Sequence, residues 1–171
     1  MRAVLPRLMV VLGCAALVSC APASADMPGR STEAVASPGG AVHPISGWKV
    51  VPLTISHDGR VHHFRVEVAE SWSQQARGMM FREEMGPDEG MIFPMDPPRT
   101  AGFWMKNTLI PLDMIFVGPD GRISNIIANA EPRSLDSRRS EGPVKAVLEL
   151  NGGRAAELGI VPGALVEWEV P

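Results

Sequence analysis

From residue 48 onward, short apolar runs alternate with turn-forming residues, and this punctuation constrains the fold more than any other feature. His57-Asp58-Gly59-Arg60 separates extended segments 50–56 and 61–69, while Gly118-Pro119-Asp120-Gly121 and Val161-Pro162-Gly163 mark later turns. In the second segment Phe64, Val66 and Val68 share one face and His63, Arg65 and Glu67 the other, the alternation of a half-buried strand. Further strands are expected at 91–93, 101–105, 112–117, 122–129, 144–150 and 165–170. Ser71-Trp72-Ser73-Gln74 has the form of a capping box, opening a short helix that stops at Gly78. Residues 154–158 suit one helical turn ending at Gly159. Many short strands with two short helices predict a mainly β (α+β) domain, built as a compact β-barrel or sandwich.

The N-terminal third differs in kind. Arg2 and Arg7 precede an apolar run over 8–17 that is too short to span a bilayer, the pattern of an export signal. Leu17-Val18-Ser19-Cys20 then fits a lipobox, in which the cysteine is acylated and becomes the new N-terminus; ordinary cleavage after Ala23-Ser24-Ala25 is the alternative. Ala21 behind the cysteine is not an aspartate, which directs the expectation to the outer membrane, facing the periplasm. Residues 21–47 are dominated by Ala, Pro, Gly and Ser, with too little to bury for a core. As a flexible tether they would span about 30 Å. Residues 48–171 suffice for one domain with one core.

Charge and cysteine usage exclude several classes of function. Cys14 lies in the signal, so the mature chain keeps at most Cys20, and no disulfide, zinc knuckle or thiol catalysis is expected. Of 16 basic and 19 acidic residues, removal of Arg2 and Arg7 leaves 14 against 19, a net charge of -5. A modestly acidic domain without a basic cluster is a poor partner for nucleic acid. The spacings of serine hydrolases, zincins, dinucleotide folds and phosphate loops are missing, and neither a cofactor nor a metal is expected.

The densest chemistry lies in Phe103-Trp104-Met105-Lys106-Asn107-Thr108-Leu109-Ile110-Pro111-Leu112-Asp113. Apolar neighbours there hold a lysine, an amide, a hydroxyl and a carboxylate, and such groups need partners when buried. With Arg77-Gly78-Met79-Met80-Phe81-Arg82, Gly90-Met91-Ile92-Phe93, and Val147-Leu148-Glu149-Leu150-Asn151-Gly152-Gly153 ahead of Leu158-Gly159-Ile160, this segment resembles the signature of domain-of-unknown-function family 192. The resemblance runs from about Val61 to Val170. It implies a β-rich, jelly-roll-like domain and brings no activity with it. Relative to that pattern, Arg133-Ser134-Leu135-Asp136-Ser137-Arg138-Arg139-Ser140 stands out as a charged, flexible loop.

Asp113 and Glu149 are each embedded among large apolar residues, so each should be paired with a cation or shifted in pKa. Arg77, Arg82 and Lys106 are the matching cations. Two readings follow. In one, these groups form an ion-pair network that fixes strand register. In the other, Arg77, Met80, Arg82, Phe93, Trp104, Lys106, Asn107, Thr108, Asp113 and Glu149 form a pocket that orients a small polar or anionic ligand, with Trp104 and Phe93 as walls. An acid–base enzyme using Asp113 or Glu149 with Lys106 is the rival function.

Met79, Met80, Met85, Met91, Met95, Met105 and Met114 crowd one part of the chain. Thioethers can bind Cu(I) in an exported protein, but methionine also fills irregular cores, and that is the stronger reading. His62-His63 reads as a surface pair, because neighbours on a strand point to opposite faces. Asn151-Gly152-Gly153 reads as a plain turn. The expected function is a lipid-anchored periplasmic binder of a small polar ligand or an envelope protein.

Overall fold

The computed structural model describes residues 41–169. The expected signal segment, Cys20 and the tether as far as residue 40 lie outside the described residues. Seven strands and two short helices follow in the order β1 (Val50–His57), β2 (Arg60–Val68), α1 (Trp72–Arg77), β3 (Glu89–Phe103), β4 (Leu112–Val117), β5 (Ile123–Ala130), β6 (Arg138–Asn151), α2 (Arg154–Leu158) and β7 (Leu165–Trp168). They make one mixed sheet ordered β5-β4-β6-β3-β2-β1-β7. Its two ends meet at a single bridge, Arg122 to Leu165, so the sheet curls into a sandwich-like body without closing into a barrel.

Local rules account for most of the elements. Asp58 and Gly59 both take positive φ at the β1–β2 turn, as a two-residue hairpin loop requires. Ser71 caps α1 by accepting from the Gln74 N–H at 3.2 Å, and the Gln74 side chain accepts from the Ser71 N–H at 2.8 Å. Gly78 closes the helix with φ 47°, and a Cβ there would lie 3.3 Å from the Phe93 ring. The helix end is thereby laid directly on β3.

Two features depart from the sequence expectation. Segments 91–93 and 101–105, read as separate strands, belong largely to one strand, β3, whose ladder with β6 is interrupted between Pro94 and Arg99. Pro97 and Pro98 sit in that gap and have no N–H to give to a ladder. The pairing of β2 with β3 is parallel, and the connection that parallel strands require carries α1.

The sheet separates two cores. One is aliphatic: Leu53, Ile55, Val66, Ile92, Ile115 and Leu148 are among its members, and α2 adds Ala155. The other is built from Met79, Met91, Met95, Met105 and Met114 with Phe93 and Phe116. Alternation along β6 assigns Leu148 and Leu150 to the first and Val147 and Glu149 to the second. Gly90 makes this close layering possible, because a Cβ there would fall 2.7 Å from the Glu149 carbonyl oxygen.

Residues 41–47, read from composition as tether, are held against the domain. Val42 bridges Lys49, His43 Nε2 lies 3.0 Å from an Arg82 guanidinium nitrogen, and Ser46 donates its hydroxyl to Glu67. This strap also explains Glu67, which alternation placed on the polar face of β2. It is buried, because the strap and Arg82 cover it, and Arg82 Nη2 pairs with its carboxylate at 2.6 Å. The 133–140 loop is likewise pinned. The Ser134 carbonyl accepts from Met105 N–H at 3.0 Å, the Arg133 N–H donates to the Thr108 carbonyl at 3.1 Å, and Arg138–Ser140 already belong to β6.

Candidate functional site

Asp113 and Glu149 have opposite fates. The Asp113 carboxylate is fully buried on the aliphatic side and accepts three backbone N–H groups, each at 2.8 Å, from Asn129, Gly153 and Ala155. Gly153 is the N-cap of α2 and has no side chain to satisfy the helix's first N–H groups, so Asp113 does this from β4. The expectation that Asp113 would converge with Lys106 is therefore corrected. Alternation along β4 sends Leu112, Met114 and Phe116 to the methionine-rich side and Asp113 to the other.

Glu149 faces the methionine-rich side. It stands opposite Met91 of β3 and Met114 of β4, and its Oε2 is buried without a hydrogen-bond partner among the described residues. Burial pushes its carboxyl up from 4.5 to about 8, because ionisation there would place a charge among apolar groups. Near neutral pH it is mainly the protonated acid.

This carboxyl forms part of the wall of a cavity of about 270 Å³ between the end of α1 and β3. Seven sequence candidates meet there: Arg77, Met80, Phe93, Trp104, Lys106, Thr108 and Glu149. Phe93 and Phe103 pack edge to face at 5.0 Å and stiffen one wall. Lys106 Nζ lies 5.2 Å from the centre of the half-exposed Trp104 ring, so the cation and the ring share the mouth. Arg99 also lines the cavity and was not among the candidates; it lies just beyond the Asp96-Pro97-Pro98 break, and only the pairing of β3 with β6 brings it there. Among the described residues none of Arg77, Arg99 and Lys106 is within ion-pair distance of a carboxylate.

The remaining candidates serve neighbouring roles. Arg82 is committed to Glu67 and His43. Asn107 takes φ 58°, and its carbonyl accepts the Phe81 N–H at 2.8 Å, which fastens the Met80–Phe81 turn beside the cavity. A second, larger cleft of about 660 Å³ lies on the far side of Arg77, Gly78 and Met80, between the strap and exposed Phe81. It holds none of the buried unpartnered polar atoms, whereas Glu149 lines the smaller cavity. No group of three or more His, Cys, Asp or Glu side chains is arranged to hold a metal among the described residues.

A single curled sheet carrying a side-chain cavity beside a parallel crossover defines a small β-rich domain. Residues 53–168 match the profile of DUF192, described as "Uncharacterized ACR", and the chain belongs to that family. It is similar to a crystal structure of a protein of unknown function from Novosphingobium aromaticivorans DSM 12444, at 52% identity over 82% of this chain and 100% of that one, with TM-score 0.75. It is also similar to a structure described as a "putative transcription regulator" from Sinorhizobium meliloti 1021, at 41% identity over 71% of this chain and 95% of that one, with TM-score 0.69. No curated protein matches the chain.

Proposed function

We propose that this chain is an exported domain, acylated at Cys20 and tethered to the periplasmic side of the outer membrane, that holds a small polar, anionic ligand in the Glu149 cavity. One observation carries the binding reading: Glu149, whose buried Oε2 has no hydrogen-bond partner, lines a recess together with three cations that have no carboxylate partner among the described residues. Desolvated polar groups of this kind are stabilised by a partner they can hydrogen-bond. The volume, about 270 Å³, lies just below the roughly 300–1,000 Å³ typical of ligand pockets and suits only a small molecule. The anchoring reading is supported by the lipobox and the Ala/Pro/Gly/Ser segment behind it. The acidic balance of the mature chain favours no nucleic-acid role, so the regulator description of the Sinorhizobium structure is not extended to it.

An acid–base enzyme is the second reading, favoured by the near-neutral titration of Glu149 in a cavity that also contains Lys106. Binding is preferred because Asp113, the second carboxyl such chemistry would enlist, spends its oxygens on three N–H groups across the sheet. Copper handling ranks third, since five of the clustered methionines are interleaved with Phe93 and Phe116 as core.

Native mass spectrometry of protein purified from the envelope tests the first reading. A bound mass that disappears in an Arg77→Gln/Lys106→Gln variant supports it, and the same bare mass from both proteins counts against it. In the same preparation Cys20→Ser should leave a soluble or unprocessed form. An unmodified N-terminus at Asp26 in the native protein would overturn the anchor.

A further inference from the structure

The recess is uneven in polarity. Arg77, Arg99 and Lys106 are exposed at its mouth, Phe93 and Met95 are buried in its wall, and the buried Glu149 carboxyl lies among them. Gln75, the amide in the lining, has committed its NH2 to the carbonyls of Ala69 and Pro94 at 3.1 and 2.8 Å. The elements packed against Glu149 present Arg77 from α1, Arg99 from β3 and Lys106 from the β3–β4 loop; β4 presents Met114, which does not titrate. With its proton on, Glu149 is a donor in an apolar setting, and the other charged groups in the cavity lining are all positive. Such a set complements an anion and opposes an amine.

We infer that Glu149 serves this site as a neutral hydrogen-bond donor, and that the ligand it selects is a small organic carboxylate with an apolar body, held only while Glu149 keeps its proton. The inference rests on the reading of the cavity as a ligand site. An O–H donor to a carboxylate makes a charge-assisted bond, roughly twice as strong as a neutral one. Once ionised, Glu149 would instead set a second negative charge against the ligand in surroundings that screen it poorly. Proton and ligand therefore favour each other's binding, and by linkage the ligand must raise the Glu149 titration midpoint. No bond is made or broken. Below the midpoint the proton is already present, and above it one proton is taken up with each ligand.

The test uses the full chain with benzoate and hexanoate as probes and hexylamine as the oppositely charged control, following binding and the ¹³C shift of the Glu149 carboxyl by NMR. Binding of benzoate or hexanoate should be level from about pH 6 to 7, where the probes are anions, and fall by roughly thirtyfold by pH 9.5, as the competent fraction declines above a midpoint near 8. Glu149→Gln keeps a donor and cannot titrate, so its affinity should stay level to pH 9.5 and exceed the wild type there. Saturating benzoate should move the Glu149 midpoint upward in the wild type, a readout that holds even if the variant folds poorly. Constant wild-type affinity across this range, a midpoint moved downward, or hexylamine binding in place of the acids would overturn the inference and leave the cavity as a ligand site. Failure of every probe at every pH, with the midpoint unmoved, would remove the cavity reading together with the inference.

Discussion

Asp113 and Glu149 are a ladder step apart on adjacent strands, Asp113 opposite Leu150 and Met114 opposite Glu149, yet they belong to different regions of the molecule. On the aliphatic side Asp113 is saturated by three N–H groups and ties β4 to the end of β5 and the start of α2. On the methionine-rich side Glu149 keeps an unpartnered oxygen beside a cavity. Both are buried carboxyls with leucine or methionine as chain neighbours. Burial alone therefore does not separate a saturated acid from an unpartnered one. What separates them is whether the fold itself supplies the partners.

The largest effect that could break this comparison lies in the pH dependence of stability. Folded Glu149 keeps its proton from pH 4.5 to about 8, where the unfolded chain has lost it, so stability falls as pH rises through that window and the cost is fully present above 8. Glu149→Gln removes the titration. The stability of the variant relative to wild type should grow by up to ~5 kcal/mol between pH 4 and 9, at ~1.4 kcal/mol for each tenfold change in proton affinity. Urea unfolding of both proteins across pH measures it, and a constant difference would mean that Glu149 is solvated or paired.

Asp113→Asn should act in the opposite direction. It replaces an accepting oxygen with an NH2 that faces a backbone N–H, orphaning at least one buried donor. A loss of about 2–4 kcal/mol at neutral pH is expected, with probe binding in the cavity retained once the variant is folded. Loss of binding at unchanged stability would reverse the roles assigned to the two acids.

The smallest effect concerns the methionines that give the Glu149 side its character. Met95 is buried in that core and Met85 packs at its edge. Met85→Leu with Met95→Leu conserves volume and should change stability by under about 1.5 kcal/mol. Sub-micromolar Cu(I) binding that disappears in this double variant would show that this side is tuned for metal rather than for packing.

Elements governed by neighbouring residues were legible in the sequence. The Ser71 capping box, the Gly78 stop, the Asp58-Gly59 turn and the strand cores of β1, β2, β4 and β6 occur where the residues placed them. Arg77, Lys106, Thr108 and Glu149 line one cavity with Met80, Phe93 and Trp104, and polar groups set in apolar runs are forced either to pair or to face a recess. Glu67 escaped the reading, since alternation describes one strand and the strap that buries it arrives from residues 41–47. Arg99 escaped because no local pattern reveals which side of the Asp96-Pro97-Pro98 break will face α1.

By itself the sequence determined the β-rich class, the punctuation of the sheet and the presence of two acids that must be buried; these follow from period-two alternation, turn residues and caps, which are properties of a few neighbouring residues. Only the tertiary structure decided that β2 and β3 run parallel, that Asp113 caps α2 across a sheet, and that Glu149 shares a cavity with Arg77, Arg99 and Lys106. Those outcomes depend on which strands become neighbours and in what register. A shift of one residue would exchange the two faces and, with them, the roles of Asp113 and Glu149.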